Sequence, residues 1–331
     1  MKKSIFFIGA VALTTSSLFS MGLKEEKFNN DRMFDWIIES EDGILPGVNP
    51  LLVKGDIITA GSSTVYPLSE TMAERFNDEG YAFKITVDSI GSGAGFERFT
   101  VAGETDISNA SREIKEKELA SAIQIGRDPL EFRIGTDALA VTVSKTNFFV
   151  TDVTKDELAK IFTLEKWSDV RSDWPDKKIL KFIPGTDSGT FDYFVEKIFD
   201  KKFELLLGAS DLQMSEDDNI LVQGISESPY GIGFFGYAYY IENKERLNIL
   251  DINGIEPTKS NVDAARYPLA RPLFIYSDEG IMRSKPQVAA FIAYYLTYIN
   301  EEVGEVGYFP ANDTEIIKSK QTWLKAVEGL Y

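Results

Sequence analysis

The chain has 331 residues, of which 44% are hydrophobic, so it can bury a substantial core and is long enough for two domains. It contains no histidine and no cysteine, which excludes Ser-His-Asp and Cys-His catalysis, disulfides, thiol chemistry and zinc sites built from His and Cys. Its 52 acidic and 35 basic residues give a net charge of −17, which disfavours nucleic-acid binding and would repel a small anion at long range.

The N-terminus has the pattern of an export signal. Lys2 and Lys3 precede an apolar stretch over residues 5–13, which is too short for an ordinary membrane span. We assign residues 1–20 to a signal or anchor segment and expect a periplasmic or otherwise extracytoplasmic protein, tethered to the membrane if the signal is retained. A buried N-terminal helix is the alternative. Residues 21–54 are polar and irregular, and we expect an N-terminal extension ahead of the core.

From residue 55 onward, short β-rich runs alternate with helical periods, which is typical of an α/β protein. Strands are predicted at residues 56–60, 83–87 and 179–183, and a helix follows each of them. The apolar runs 138–143 and 273–276 are predicted as strands that cross between lobes. A C-terminal helix is predicted over residues 288–299.

Three of these strand–helix junctions are rich in Gly, Ser and Thr, at residues 61–64, 91–95 and 184–190. A helix N-terminus offers unpaired N–H groups and partial positive charge, and glycine lets an anion approach the backbone. Together the junctions could surround a tetrahedral oxyanion with neutral donors. Taken singly, each junction is more typical of an N-cap. Residues 91–95 lack the G-x-G-x-x-G spacing of a dinucleotide loop, and the sequence has no P-loop.

Four motifs occur in order: GSSTVYP at 61–67, GSG at 91–93, DISNASR at 106–112 and PGTDSGTFDYF at 184–194. With them the chain resembles the phosphate-binding proteins of ABC-type phosphate importers, over about residues 56–296. The resemblance implies an α/β, two-lobed type II periplasmic-binding-protein fold with two crossing strands at the hinge. We expect residues 55–140 and 273–331 to form lobe 1, and residues 141–272 to form lobe 2.

The resemblance also implies a set of phosphate contacts, which on this sequence are Ser63, Thr64, Val65, Ser92, Ser111, Arg112, Asp187, Ser188, Gly189 and Thr190. The chain departs from the family at two of its charged positions. Arg112 stands where many members have an Asp that accepts the phosphate proton, and Pro184 stands where they have an Arg. We expect Arg112 to supply a guanidinium, and Asp187 to orient it or to accept a ligand proton. A surface or interlobe ion pair is the alternative for Arg112.

These observations predict a non-enzymatic, monomeric receptor that binds inorganic phosphate and delivers it to the permease of an ABC importer, without cofactor, metal or nucleic acid. We expect phosphate to bind in preference to sulfate, although the usual Asp is replaced. The alternatives are a receptor for another oxyanion, a metal-dependent phosphate-ester hydrolase and a surface adhesion protein. Two further features receive structural interpretations: Asp217 and Asp218 start a helix, and Tyr237, Tyr239 and Tyr240 pack in the core.

Overall fold

The computed structural model describes residues 34–186, 188–215 and 217–329. The strands are β1 (Ile37–Ile38), β2 (Gly47–Val48), β3 (Ile57–Gly61), β4 (Ile85–Ser89), β5 (Ile107–Ala110), β6 (Pro129–Ser144), β7 (Asp152–Val153), β8 (Leu180–Pro184), β9 (Leu212–Ser215), β10 (Gly231–Gly236), β11 (Leu247–Ile249), β12 (Asp251–Ile252), β13 (Ala270–Asp278) and β14 (Phe309–Pro310). The helices are α1 (Tyr66–Asp78), α2 (Ser92–Glu97), α3 (Glu116–Gln124), α4 (Lys155–Ile161), α5 (Trp167–Val170), α6 (Gly189–Phe199), α7 (Phe203–Leu207), α8 (Asp218–Ser226), α9 (Tyr237–Asn243), α10 (Lys259–Asp263), α11 (Glu279–Ser284), α12 (Pro286–Glu302) and α13 (Asp313–Ala326). A 3-10 turn covers Pro50–Leu52, and a π-helical segment over Arg98–Ala102 continues α2.

Helix α1 illustrates how the local sequence produces its element. Pro67 occupies the first turn, where its missing N–H costs nothing. Leu68, Met72 and Phe76 recur at helical spacing and are fully buried, each contributing about 1.5–3 kcal/mol through burial. Gly80 follows the helix with a φ of 111°, a left-handed conformation that glycine adopts without strain.

Strands β6 and β13 form the centre of the main sheet. They pair antiparallel along the whole of β13, with Ala270 opposite Ala138 at one end and Asp278 opposite Pro129 at the other. The strand order is β4-β3-β5-β13-β6-β10-β8-β9, with β11 and β14 also paired to β6. The parallel strands β3, β4 and β5 therefore lie on one side of this central pair, and β8, β9 and β10 lie on the other.

The two ends of β6 belong to different hydrophobic cores. Phe132 and Ile134 lie in the first core, with α1, α2 and α12. Leu139 and Val141 lie in the second core, with α4 and α6. This is the two-lobed fold with crossing strands that the resemblance implied. The lobe limits at 140/141 and 272/273 remain predictions.

The segment before β3 is part of the first core from Phe34 onward. Trp36 is buried against Trp323 of α13, with ring centroids 6.5 Å apart. Lys320 of α13 forms an ion pair with Asp42, whose carboxylate also accepts hydrogen bonds from two backbone N–H groups. This part of the predicted extension therefore packs into the core rather than preceding it. The predicted signal segment lies outside the described residues.

Two structural interpretations from the sequence are confirmed. Asp217 is the N-cap of α8, and its carboxylate accepts the Asn219 N–H at 2.9 Å. The three tyrosines of α9 pack against a third hydrophobic core, on the opposite face of the sheet of lobe 2.

Candidate functional site

A cavity of about 630 Å³ is lined by residues from both sides of the crossing strands. Six of the ten predicted site residues line it: Ser63, Thr64, Ser92, Ser111, Arg112 and Gly189. Val65, Ser188 and Thr190 are not among the lining residues, and Asp187 lies outside the described residues. The cavity therefore brings together the three predicted junctions, although not every predicted contact.

The anion loop, residues 62–65, connects β3 to α1. It leaves β3 at Gly61, where φ is 148° and an added Cβ would overlap the Asn109 carbonyl. Thr64 is buried at the cavity, whereas the Val65 side chain is fully buried in the first core. The Val65 N–H donates to the Ser62 carbonyl at 3.1 Å, so in this conformation it bonds within the loop rather than facing the cavity.

The second junction is tied to the loop that follows β5. Gly91 precedes α2 with a φ of 82°. The Ser92 Oγ accepts the Ser111 N–H at 3.1 Å and lies 3.3 Å from the Ser111 Oγ. Two hydroxyls are thereby held side by side at the cavity wall, and either of them can turn a proton toward a ligand.

The third junction approaches the anion loop from lobe 2. Gly189 begins α6, and an added Cβ there would lie 3.0 Å from the Thr64 nitrogen and from the Thr64 Oγ. The Ser188 Oγ caps α6 by accepting the Thr190 N–H at 3.2 Å. For Ser188 the capping interpretation therefore holds in this conformation, and the close approach of Gly189 to Thr64 brings two helix N-termini together.

Arg112 lies at the cavity wall with Glu118 as its partner. Its two terminal nitrogens bond the two Glu118 oxygens at 2.7 and 2.9 Å, and its guanidinium lies 5.0 Å from the centre of the Phe96 ring. Burial alone would raise the pKa of Glu118, but the hydrogen bond from Arg112 and the Lys115 N–H hold it below its ordinary value. The Arg112 guanidinium is therefore largely neutralised by a carboxylate that our sequence interpretation did not consider.

Arg271 is the principal site residue that the sequence interpretation missed. It is buried, its Nε and Nη2 each lie 2.9 Å from the Asp137 Oδ2, and its Nη2 donates to the Gly189 carbonyl at 3.0 Å. Its guanidinium stacks over the Tyr193 ring at 4.0 Å. The Asp137 Oδ1 is buried without a hydrogen-bond partner among the described residues.

A signal for this pair was present in the sequence. Arg271 and Asp137 each lie in or beside an apolar run that was predicted as a crossing strand. Charged side chains are rarely buried unless they are paired. Opposite charges just before the two predicted crossing strands, Asp137 one residue before the first and Arg271 two residues before the second, therefore indicate a partnership between them.

Two carboxylates, Asp192 and Glu196, line the cavity along α6. Asp192 is exposed to the cavity, yet its surroundings remove enough water to raise its pKa, an effect that Arg271 opposes and Glu196 reinforces. Asp192 is therefore a carboxylate acceptor at the site.

The sequence profile of the PBP superfamily domain matches residues 51–297. The chain is 44% identical over 267 residues to Protein SphX of Synechococcus elongatus, covering 77% of both chains. It is 38% identical over 265 residues to the phosphate-binding protein PstS of Staphylococcus haemolyticus, covering 77% of this chain and 81% of that one. The crystal structure of a possible phosphate binding protein from Planctomyces limnophilus matches with a TM-score of 0.76 and 37% identity, over 83% of this chain and 100% of that one.

Proposed function

The chain belongs to the PBP superfamily and, within it, to the phosphate-binding proteins of ABC-type importers, and from this premise we propose that it binds inorganic phosphate and delivers it to a membrane permease. The observation that carries the proposal is the meeting of Thr64 and Gly189, from helix N-termini of different lobes, at one cavity. Helix N-termini and hydroxyls bind a tetrahedral oxyanion through short-range donors. Such donors suit a chain whose net charge of −17 would repel the ligand at a distance.

Within this proposal, the ligand contacts divide by lobe. Ser63, Thr64, Ser92, Ser111 and the Arg112 guanidinium donate from lobe 1, and the α6 N-terminus at Gly189 donates from lobe 2. Arg271 lies behind Gly189 and supplies positive charge from the hinge. Val65, Ser188 and Thr190 reach the ligand through backbone N–H groups only if the loops rearrange on closure, as hinge-bending receptors do.

Phosphate binding is tested by calorimetry on ligand-stripped protein, preceded by native mass spectrometry for co-purified phosphate. We expect phosphate to bind at least tenfold more tightly than sulfate. Phosphate carries a proton at neutral pH and can donate it to a cavity carboxylate such as Asp192, whereas sulfate only accepts hydrogen bonds and is repelled. Equal affinity for the two anions would contradict the proposal in favour of a general oxyanion receptor.

We expect Arg112→Ala to weaken phosphate binding about tenfold or more, because charge-assisted hydrogen bonds contribute about 1.5–3 kcal/mol. The truncation would also leave Glu118 unpaired at the cavity wall, where its charge repels the ligand. Lys115→Ala is the matched control, since Lys115 lines the same cavity and should change affinity less than twofold. The measurement is calorimetry on both variants. Equal, small effects would show that Arg112 belongs to a structural ion pair with Glu118.

We further propose that the chain is a monomeric, non-enzymatic receptor that acts outside the cytoplasm and binds no nucleic acid. Among the described residues there is no group of three or more carboxylates that could hold a metal ion. No helix in the described ranges is both long and apolar enough to span a membrane. A phosphatase assay with added Mg²⁺ or Zn²⁺ tests the hydrolase alternative, and turnover above that of the Arg271→Met variant would overturn the receptor assignment.

A further inference from the structure

Two consecutive residues at the start of β14, Tyr308 just before the strand and Phe309 as its first residue, contact different hydrophobic cores. The Tyr308 side chain packs against the first core, and Phe309 is a member of the second. Successive side chains of an extended chain point to opposite faces, so the first residue of a strand and the residue before it can contact the two cores on either side. The chain thus contacts both cores at this point, close to the anion loop, and then returns to the first core through α13.

The Tyr308 hydroxyl contacts the anion loop directly. It donates to the Thr64 carbonyl at 2.8 Å. That carbonyl and the Val65 N–H belong to one planar trans peptide, in which the two groups point in opposite directions. The Tyr308 bond therefore fixes the orientation of the Val65 N–H and of the chain that enters α1. Burial raises the pKa of Tyr308 far above its ordinary value, so the phenol keeps its proton and remains a donor.

Phe309 anchors the other side of the strand. Its ring centroid lies 4.6 Å from that of Tyr237 in lobe 2. Its backbone pairs with β6 at Thr136, one residue before Asp137, the partner of Arg271. An added Cβ at the neighbouring Gly135 would lie 3.1 Å from the Phe309 carbonyl oxygen, so β14 fits closely against β6. A movement of lobe 2 is therefore transmitted to Tyr308 through one peptide unit.

We infer that Tyr308 is a positioning residue for phosphate binding, holding Thr64 of the anion loop at the cavity and linking that loop through Phe309 to the core of lobe 2. The inference rests on the proposed function, because it concerns the same site. According to this inference, phosphate affinity depends on a residue that lies outside the cavity. Tyr308 acts on the ligand indirectly, through its hydrogen bond to Thr64.

The test compares Tyr308→Phe with Tyr267→Phe in the full chain. Tyr267 is a matched control, because its buried hydroxyl also donates to a backbone carbonyl, that of Leu139, at 2.9 Å, but contacts no part of the anion loop. We expect both variants to lower the melting temperature by a similar few degrees. Tyr308→Phe should weaken phosphate binding about tenfold and speed hydrogen exchange at the Val65 amide, whereas Tyr267→Phe should leave both within twofold of wild type.

If wild type binds phosphate and Tyr308→Phe binds it equally well, the inference is wrong and the proposed function stands. If wild type does not bind phosphate, the proposed function fails and the inference fails with it. Should Tyr308→Phe not fold, Phe309→Leu provides the second variant: weaker phosphate binding with an intact fold supports the link to lobe 2, and unchanged affinity contradicts it.

Discussion

Replacing Arg271 with methionine should lower the free energy of unfolding by about 3–5 kcal/mol and abolish measurable phosphate binding. The stability loss follows because removal of one partner from a buried ion pair leaves the other charge unpaired in the protein interior. Asp137 is fully buried, its Oδ2 is bound by Arg271, and its Oδ1 has no hydrogen-bond partner among the described residues. The binding loss follows because the Gly189 carbonyl loses the Arg271 donor that holds it and the cavity loses a cation.

A double variant separates the two effects. In Arg271→Met with Asp137→Asn, no unpaired charge remains, so most of the stability should return, as it does when buried ion pairs are replaced by neutral groups. Phosphate binding should not return. Urea unfolding and calorimetry measure the two quantities on wild type, the single variant and the double variant. A single variant that unfolds at the same urea concentration as wild type would show that the Asp137 charge is not buried as the structure indicates.

The secondary structure around the site follows closely from the sequence. The strand predicted at 56–60 is β3, and the helix predicted to follow the strand at 179–183 is α6. The strand predicted at 83–87 is displaced by two residues to Ile85–Ser89. Its limits are set by parallel pairing with β3, in which Ile85 lies opposite Ile57, and a periodicity within one segment does not specify this register.

The charged contacts at the site could not be predicted from local sequence patterns. Arg271 and Asp137 are 134 positions apart, and only the register of β13 against β6 brings them together. The sequence predicts that Asp187 orients Arg112 or accepts a ligand proton, and Asp187 lies outside the described residues; the described carboxylate partner of Arg112 is Glu118. Glu118 accepts the Lys115 N–H as a helix-capping residue and binds Arg112 with the same carboxylate. Neither interaction follows from a sequence pattern, because the N-cap position of α3 holds Lys115 rather than the Ser or Thr of a capping box.

The structure shows why two positions of the second junction, Gly93 and Gly95, differ in their need for glycine, which the sequence spacing does not show. An added Cβ at Gly95 would overlap the Gly61 Cα and lie 2.9 Å from the Ala60 carbonyl oxygen, so α2 packs directly on β3. The space beside Gly93 is open, with no atom within 4 Å of an added Cβ. The two glycines of one helix therefore have different reasons for being glycine, although their sequence context is similar.

Gly95→Ala should consequently destabilise the protein by about 3 kcal/mol, the upper range for overpacking a closely fitted core, because both opposing atoms belong to backbone and cannot rotate away. It should also weaken phosphate binding, since the displaced α2 carries Ser92 at its N-terminus. Gly93→Ala is the matched control and should be neutral or stabilising by up to about 1 kcal/mol, because alanine restricts the unfolded chain and favours the helix. Urea unfolding of the two variants measures the difference. Equal stability would show that α2 can move away from β3 at no cost, in which case the Ser92 hydroxyl is not held rigidly at the cavity.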